Sequence, residues 1–215
     1  MASLGEAKNL GGIGAILALL SGLLFWAPYN AGIGLLIVGL VLMLIAVKNV
    51  ADTVGDQAIY RSMMYSVILA IIGPIIAAVV VFAAAASFIS TFRGFTPGQT
   101  TLPPGFITAL GFLILAGVIL YICILISTVF LKKSYDAIAL KLKVNMFHTT
   151  GLLFLIGAAT LIVGVGVVIL FIAAILQIVA FFSIPEQVPS QMPPQQTWGP
   201  PTPPAPMPPT LTPAQ

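Results

Sequence analysis

The chain has 215 residues, of which 60% are hydrophobic and only 6% charged, with a net charge of +3 and a mean hydropathy of +1.15. An ordinary soluble domain is roughly half apolar and about a quarter charged, so a water-covered globular domain is excluded. The long apolar runs indicate membrane helices rather than barrel strands, which would alternate in polarity.

The first apolar run has a weak positive flank and no small-x-small cleavage site, and it reads as a retained span over about 10–27, stopped by Pro28. Gly14, Ala18 and Gly22 form a small-xxx-small ladder on it, with Gly11 and Ala15 alongside, a pattern that permits close helix approach. A second span, about 31–47, follows the turn Pro28-Tyr29-Asn30. The next stretch, "KNVADTVGDQAIYRSM", places Lys48, Asp52 and Asp56 four residues apart, on one face of a short helix. Two carboxylates without further oxygen or histidine ligands read as a solvated face rather than a cation site.

A third span is predicted over about 66–89, with Pro74 as a kink. The Gly/Pro/Thr-rich connector from Ser90 to Gly105 has no ligand spacing, and a fourth span follows over about 106–131. In "LKKSYDAIALKLKVNMFH", Tyr135, Ile138, Ala139, Leu142 and Met146 recur at helical spacing, with Lys132, Lys133, Lys141 and Lys143 largely beside or opposite them. That pattern predicts a helix lying in the membrane interface, its lysines facing anionic lipid headgroups at about 1 kcal/mol each. A docking surface for a partner is the sharper alternative.

The next 34 residues, Gly151 to Ile184, carry no charge. As one straight helix they would measure about 51 Å, against a hydrocarbon core of about 30 Å. Gly164-Val165-Gly166 permits a tight turn, so two short spans are predicted, about 149–163 and 166–184. A gapless offset of 134 residues matches Gly32, Gly39 and Ala46 to Gly166, Ala173 and Ala180. This is read either as a second hairpin echoing the first or as the chance likeness of two Gly/Ala-rich runs. The tail, 185–215, holds 12 of the 17 prolines and no Lys or Arg, so disorder with polyproline II character is expected. Trp198 with Pro200, Pro201, Pro203, Pro204 and Pro206 offers overlapping P-x-x-P registers that can dock in aromatic-lined grooves. A solvated spacer is the blander alternative.

Six spans put both termini and the loops after spans two and four on one side. That side carries Lys8, Lys48, Arg61 and the four lysines of the interface segment, whereas the other has only Arg93. The positive-inside rule then makes both termini cytoplasmic. No Asp, Glu, Lys or Arg lies within a span, which argues against proton-coupled transport but not against a passive pore. Gln177, a buried amide, needs a partner and is expected to join spans or subunits. His148 is the lone histidine and Cys123 the lone cysteine, so no disulfide, metal cluster or catalytic constellation is expected. Basic residues form no dense patch, which argues against nucleic acid.

The segments "SLGEAKNLGGIGAIL", "LIAVKNVADTVGDQAIYRSMM" and "KKSYDAIALKLKVNMFHTTGLLFLIGAATLIVG" resemble an archaeal family of multi-pass membrane proteins, the domain of unknown function numbered 996. The resemblance covers about residues 3–185. It implies an archaeal source and a cell-membrane location, and no activity or catalytic residue.

The expected architecture is therefore an all-α integral membrane protein, with six transmembrane helices in three hairpins and a disordered proline-rich cytoplasmic tail. Two functions are expected. The first is a non-enzymatic scaffold or accessory subunit, without a cofactor, contacting the bilayer and a membrane-protein partner or a second copy. The second is a passive channel or transporter for a small neutral or apolar solute, which predicts a continuous cavity lined by Ser127, Thr128, Thr160 and Gln177.

Overall fold

An apolar chain in lipid must satisfy its own backbone polar groups, and the helix does so within one segment. The computed structural model describes residues 3–24, 31–92 and 104–188, and among them every regular element is helical. The helices are α1 (Leu4–Leu23), α2 (Ala31–Val54), α3 (Gln57–Phe92), α4 (Pro104–Leu142), α5 (Asn145–Ala159) and α6 (Gly166–Phe182). A 3-10 turn, Leu161–Val163, lies between the last two. The segments Gly32–Val54, Gln57–Ala86 and Gly105–Leu142 are long and apolar enough to cross a membrane, whereas α5 and α6 are apolar but shorter. The turn Pro28-Tyr29-Asn30, most of the connector before α4, and the tail from residue 189, with Trp198 and its P-x-x-P prolines, lie outside the described residues.

The helices run further at the basic end than the apolar runs alone predict. α1 starts at Leu4 because Ser3 caps it, its hydroxyl accepting from the Glu6 amide at 3.2 Å. α2 continues to Val54 and α3 begins at Gln57, seven residues past the expected end of one span and nine before the expected start of the next. Pro74 sits inside α3 without ending it. α4 has 39 residues, about 58 Å of helix, nearly twice the hydrocarbon thickness.

The predicted in-plane helix over Leu131–His148 is corrected on this point. No glycine or proline interrupts the backbone there, and α4 passes straight through to Leu142. Its apolar face, Tyr135, Ile138 and Leu142, is buried against protein rather than laid into lipid.

Two turns at this end share one device. Gly55 (φ 73°) follows α2, and the Asp56 amide returns to the Ala51 carbonyl at 3.0 Å. After α4 the same position is taken by Lys143 (φ 56°), with Val144 N–H on the Ala139 carbonyl at 3.2 Å. Both are Schellman closures, the second without the usual glycine.

The last apolar stretch is a hairpin. α5 ends at Ala159, Gly164 adopts φ 84°, and α6 starts at Gly166. The close packing of Gly166 on the Gly157 carbonyl leaves no room for a side chain. At the far end of this hairpin the Phe147 and Phe181 rings meet at 5.3 Å, so the start of α5 and the end of α6 lie together.

Each helix packs on the next in sequence, and α6 returns to α1, which closes a six-membered ring of antiparallel neighbours. A second close crossing joins α1 and α2. A Cβ on Gly14 would sit 2.7 Å from the Gly39 carbonyl oxygen, and one on Gly39 would sit 2.7 Å from that of Gly14. Ala18 lies in the same crossing, whereas Gly22, the third rung of the predicted ladder, faces open space.

α2 and α6 run in the same direction. All six residues of the 134-residue echo are buried, and the same offset pairs Met43 with Gln177, which touch. Those repeated small residues therefore mark two equivalent inward faces.

Candidate functional site

Helices held in a ring leave space at the centre unless long side chains fill it. Near the basic end they do. Val47, Val50, Ile59, Tyr135, Ile138, Leu142, Phe147, Phe181 and Ile184 form a core with almost no exposed surface. Tyr135, Phe147 and Phe181 are mutually edge-on, with centroids 5.3–6.4 Å apart, the arrangement aromatic quadrupoles favour. Elsewhere in the ring alanines and serines are interspersed among the larger inward residues, and a chamber of about 330 Å³ opens. Every helix contributes to it, for example Ala15 and Ala18 on α1, Met43 on α2, Ala70 on α3, Phe154 on α5 and Ala174 on α6.

Four polar side chains line the chamber: Ser66, Ser127, Thr128 and Gln177. All four are buried. Ser127 donates to the Ser66 carbonyl at 2.9 Å, and the two hydroxyls lie 3.1 Å apart, which fastens α3 to α4. Thr128 donates within its own helix, to the Leu125 and Ile124 carbonyls. Gln177 Nε2 donates to Met43 Sδ, a weak acceptor that fixes the orientation of the amide. Among the described residues the lining carries no Asp, Glu, Lys, Arg or His, so an ion inside would lose hydration without gaining a counter-charge.

Three of the four polar residues predicted to line a pore thus converge. The fourth, Thr160, does not: it caps the end of α5, bonding the Ile156 carbonyl at 2.8 Å. The cavity expected along these residues is a chamber whose lining does not reach Tyr135, Phe147 or Phe181. Ser66 and Met43 complete the lining. Ser66 stands at the predicted start of the third span, and only the α3–α4 register shows that it meets Ser127.

The Tyr135 hydroxyl is the exception in the aromatic core. It has no hydrogen-bond partner among the described residues, and complete burial pushes its ionisation well above the usual phenol range.

At the basic surface two lysines and the histidine pair with carboxylates. Asp136 bridges Lys132 and His148, the latter at 2.8 Å, and Lys141 reaches Asp56 at 3.6 Å. Asp56 also caps α3, accepting from the Ala58 amide, while Asp52 accepts from Gln57. The two carboxylates therefore serve separate turns rather than one cation. Lys133 and Lys143 are exposed.

Among the described residues, an all-helical ring with three helices of membrane-crossing length and an uncharged chamber defines the class. The chain belongs to the family described as Protein of unknown function (DUF996), whose model matches residues 35–175. It is also 38% identical over 186 residues to the Uncharacterized protein MJ1644 of Methanocaldococcus jannaschii, covering 86% of this chain and 96% of that protein. No solved structure matches the chain.

Proposed function

We propose that this is a six-span membrane protein, both termini cytoplasmic, whose helix ring holds a small neutral solute in a chamber open away from the basic end. The chamber built by all six helices carries this reading. Its uncharged lining favours a neutral occupant, and the packed core of Tyr135, Phe147 and Phe181 at the basic end favours binding, or one closed stage of transport, over an open pore. Nothing in the reading requires a cofactor or a catalytic step.

Cysteine accessibility tests it. With Cys123 replaced by Ala, Ala174→Cys on the chamber wall should react with the small neutral reagent methyl methanethiosulfonate. Ala180→Cys, in the closed core, should stay unreacted. Equal inertness of the two would remove the chamber.

The scaffold reading keeps one observation of its own. Exposed Lys133 and Lys143 stand at the membrane-proximal basic surface, suited to anionic headgroups or to an acidic partner, and the proline-rich tail follows from the same end. Pull-downs with and without residues 186–215 decide the tail's part in it; identical partner sets would leave the tail a spacer.

A further inference from the structure

The hydrogen-bonding capacity left over inside the chamber is lopsided. The Ser127 hydroxyl proton goes to the Ser66 carbonyl, so the Ser66 hydroxyl donates to Ser127 across their 3.1 Å contact. The Thr128 proton is committed to its own helix. All three hydroxyl oxygens keep lone pairs but have no proton to offer. Gln177 has spent one N–H on Met43, and its Oε1 has no partner among the described residues. The chamber therefore presents four acceptor oxygens and a single free donor, the second N–H of Gln177.

We infer that the chamber selects a neutral hydrogen-bond donor: a molecule with an apolar body and one hydroxyl or primary amide, bound at Gln177 and the Ser66–Ser127 pair. This rests on the chamber reading above and adds the ligand's chemistry. An acceptor-only molecule of the same shape, an ether or ketone, finds one donor and leaves the acceptor oxygens unmatched. Discrimination of this kind is strong because a buried polar group left unpaired is costly. A cation of the same shape would enter without a counter-charge. The volume of about 330 Å³ corresponds to about ten waters of liquid, which limits the occupant to about that number of non-hydrogen atoms.

The test uses the full chain in lipid nanodiscs and three photoreactive probes with one body: an eight-carbon chain bearing a diazirine and ending in a hydroxyl, a methyl ether or an ammonium. Labelled peptides are mapped by mass spectrometry. The alcohol should label the wall around Met43, Phe154 and Ala174, half-saturating at about tenfold lower concentration than the ether, and the ammonium should leave that wall unlabelled. Gln177→Met, which keeps the shape and removes the amide, should bring the alcohol-to-ether ratio toward one. Equal half-saturation for alcohol and ether in the unaltered chain would overturn the donor preference while leaving the chamber standing. Wall peptides unlabelled by any probe would overturn the chamber itself. If Gln177→Met does not fold, the ratio in the unaltered chain decides alone.

Discussion

Tyr135 is fully buried between Phe147 and Phe181, and its hydroxyl has no partner among the described residues. An unsatisfied buried donor costs about 1–3 kcal/mol, so Tyr135→Phe should raise the unfolding temperature of the detergent-solubilised chain; a fall would mean the hydroxyl has a partner. The same residue gives a pH signature. Burial raises its ionisation in the folded state, so below the ordinary phenol range both folded and unfolded chains keep the proton and stability is flat. Above about pH 10 the unfolded chain ionises first, and stability falls with rising pH. Unfolding midpoints between pH 8 and 11 should therefore drop less steeply in Tyr135→Phe than in the unaltered chain. Equal slopes would contradict the burial of the phenol.

The glycines separate in the same residue-by-residue way. Gly39→Ala drives a methyl to 2.7 Å from the Gly14 carbonyl and should cost about 1–3 kcal/mol by overpacking. Gly22→Ala meets nothing and should be neutral or stabilising by about 0.5–1 kcal/mol. Thermal unfolding of the two variants checks the crossing, and equal effects would show that the helices do not meet there. The small-xxx-small ladder of α1 was legible in sequence, but its partner was not. Which small residues face a neighbour depends on the crossing point, and only one of two otherwise equivalent glycines reaches it.

Among the elements, α4 shows where sequence reading succeeds and where it stops. Its apolar span was visible as a run without charges. Its extension to Leu142 was not, because Lys132 and Lys133 look like a membrane boundary, and a membrane boundary need not be a helix end. The helix continues past those lysines because its hydrogen bonds are local and its inner face keeps finding protein. It stops at Lys143, a position normally given to glycine, and no composition signal marks that. Lys143→Gly should remove about 1 kcal/mol of left-handed strain and raise the unfolding temperature. A loss of stability would mean the lysine side chain supports the turn.

The α5–α6 hairpin, by contrast, could be read from its length and from Gly164-Val165-Gly166, because a run too long for one span needs a turn and only glycine accepts φ 84° there without strain. The chamber was half legible. Ser127, Thr128 and Gln177 stood out as polar residues in apolar runs, whereas Thr160 was misassigned because chain position near a span end says nothing about which face it takes.

At the scale of the molecule, packing follows the solvent. Lipid tails are as apolar as the helices they surround, so helix faces in the hydrocarbon gain little by packing together. Accordingly Ile37, Val41, Ile75 and Val79 remain exposed along α2 and α3. On the proposed six-span reading the helices outrun the bilayer at the basic end, where water restores the hydrophobic effect. There Val47, Ile59, Tyr135, Phe147 and Phe181 are buried to completion. On that reading the ring is clamped at its wet end and left open within the membrane, which is where a chamber can persist.

The central claim is that all six helices cross the bilayer with every basic turn, and both chain ends, on the cytoplasmic face. Cysteine labelling in intact cells tests it directly, with Cys123 replaced by Ala and a membrane-impermeant maleimide as reagent. A cysteine replacing Thr100, between α3 and α4, should be labelled from outside, and one replacing Gln215 should be labelled only after the cells are opened. Labelling of the Gln215 position in intact cells would make the number of crossings odd and break the ring as described.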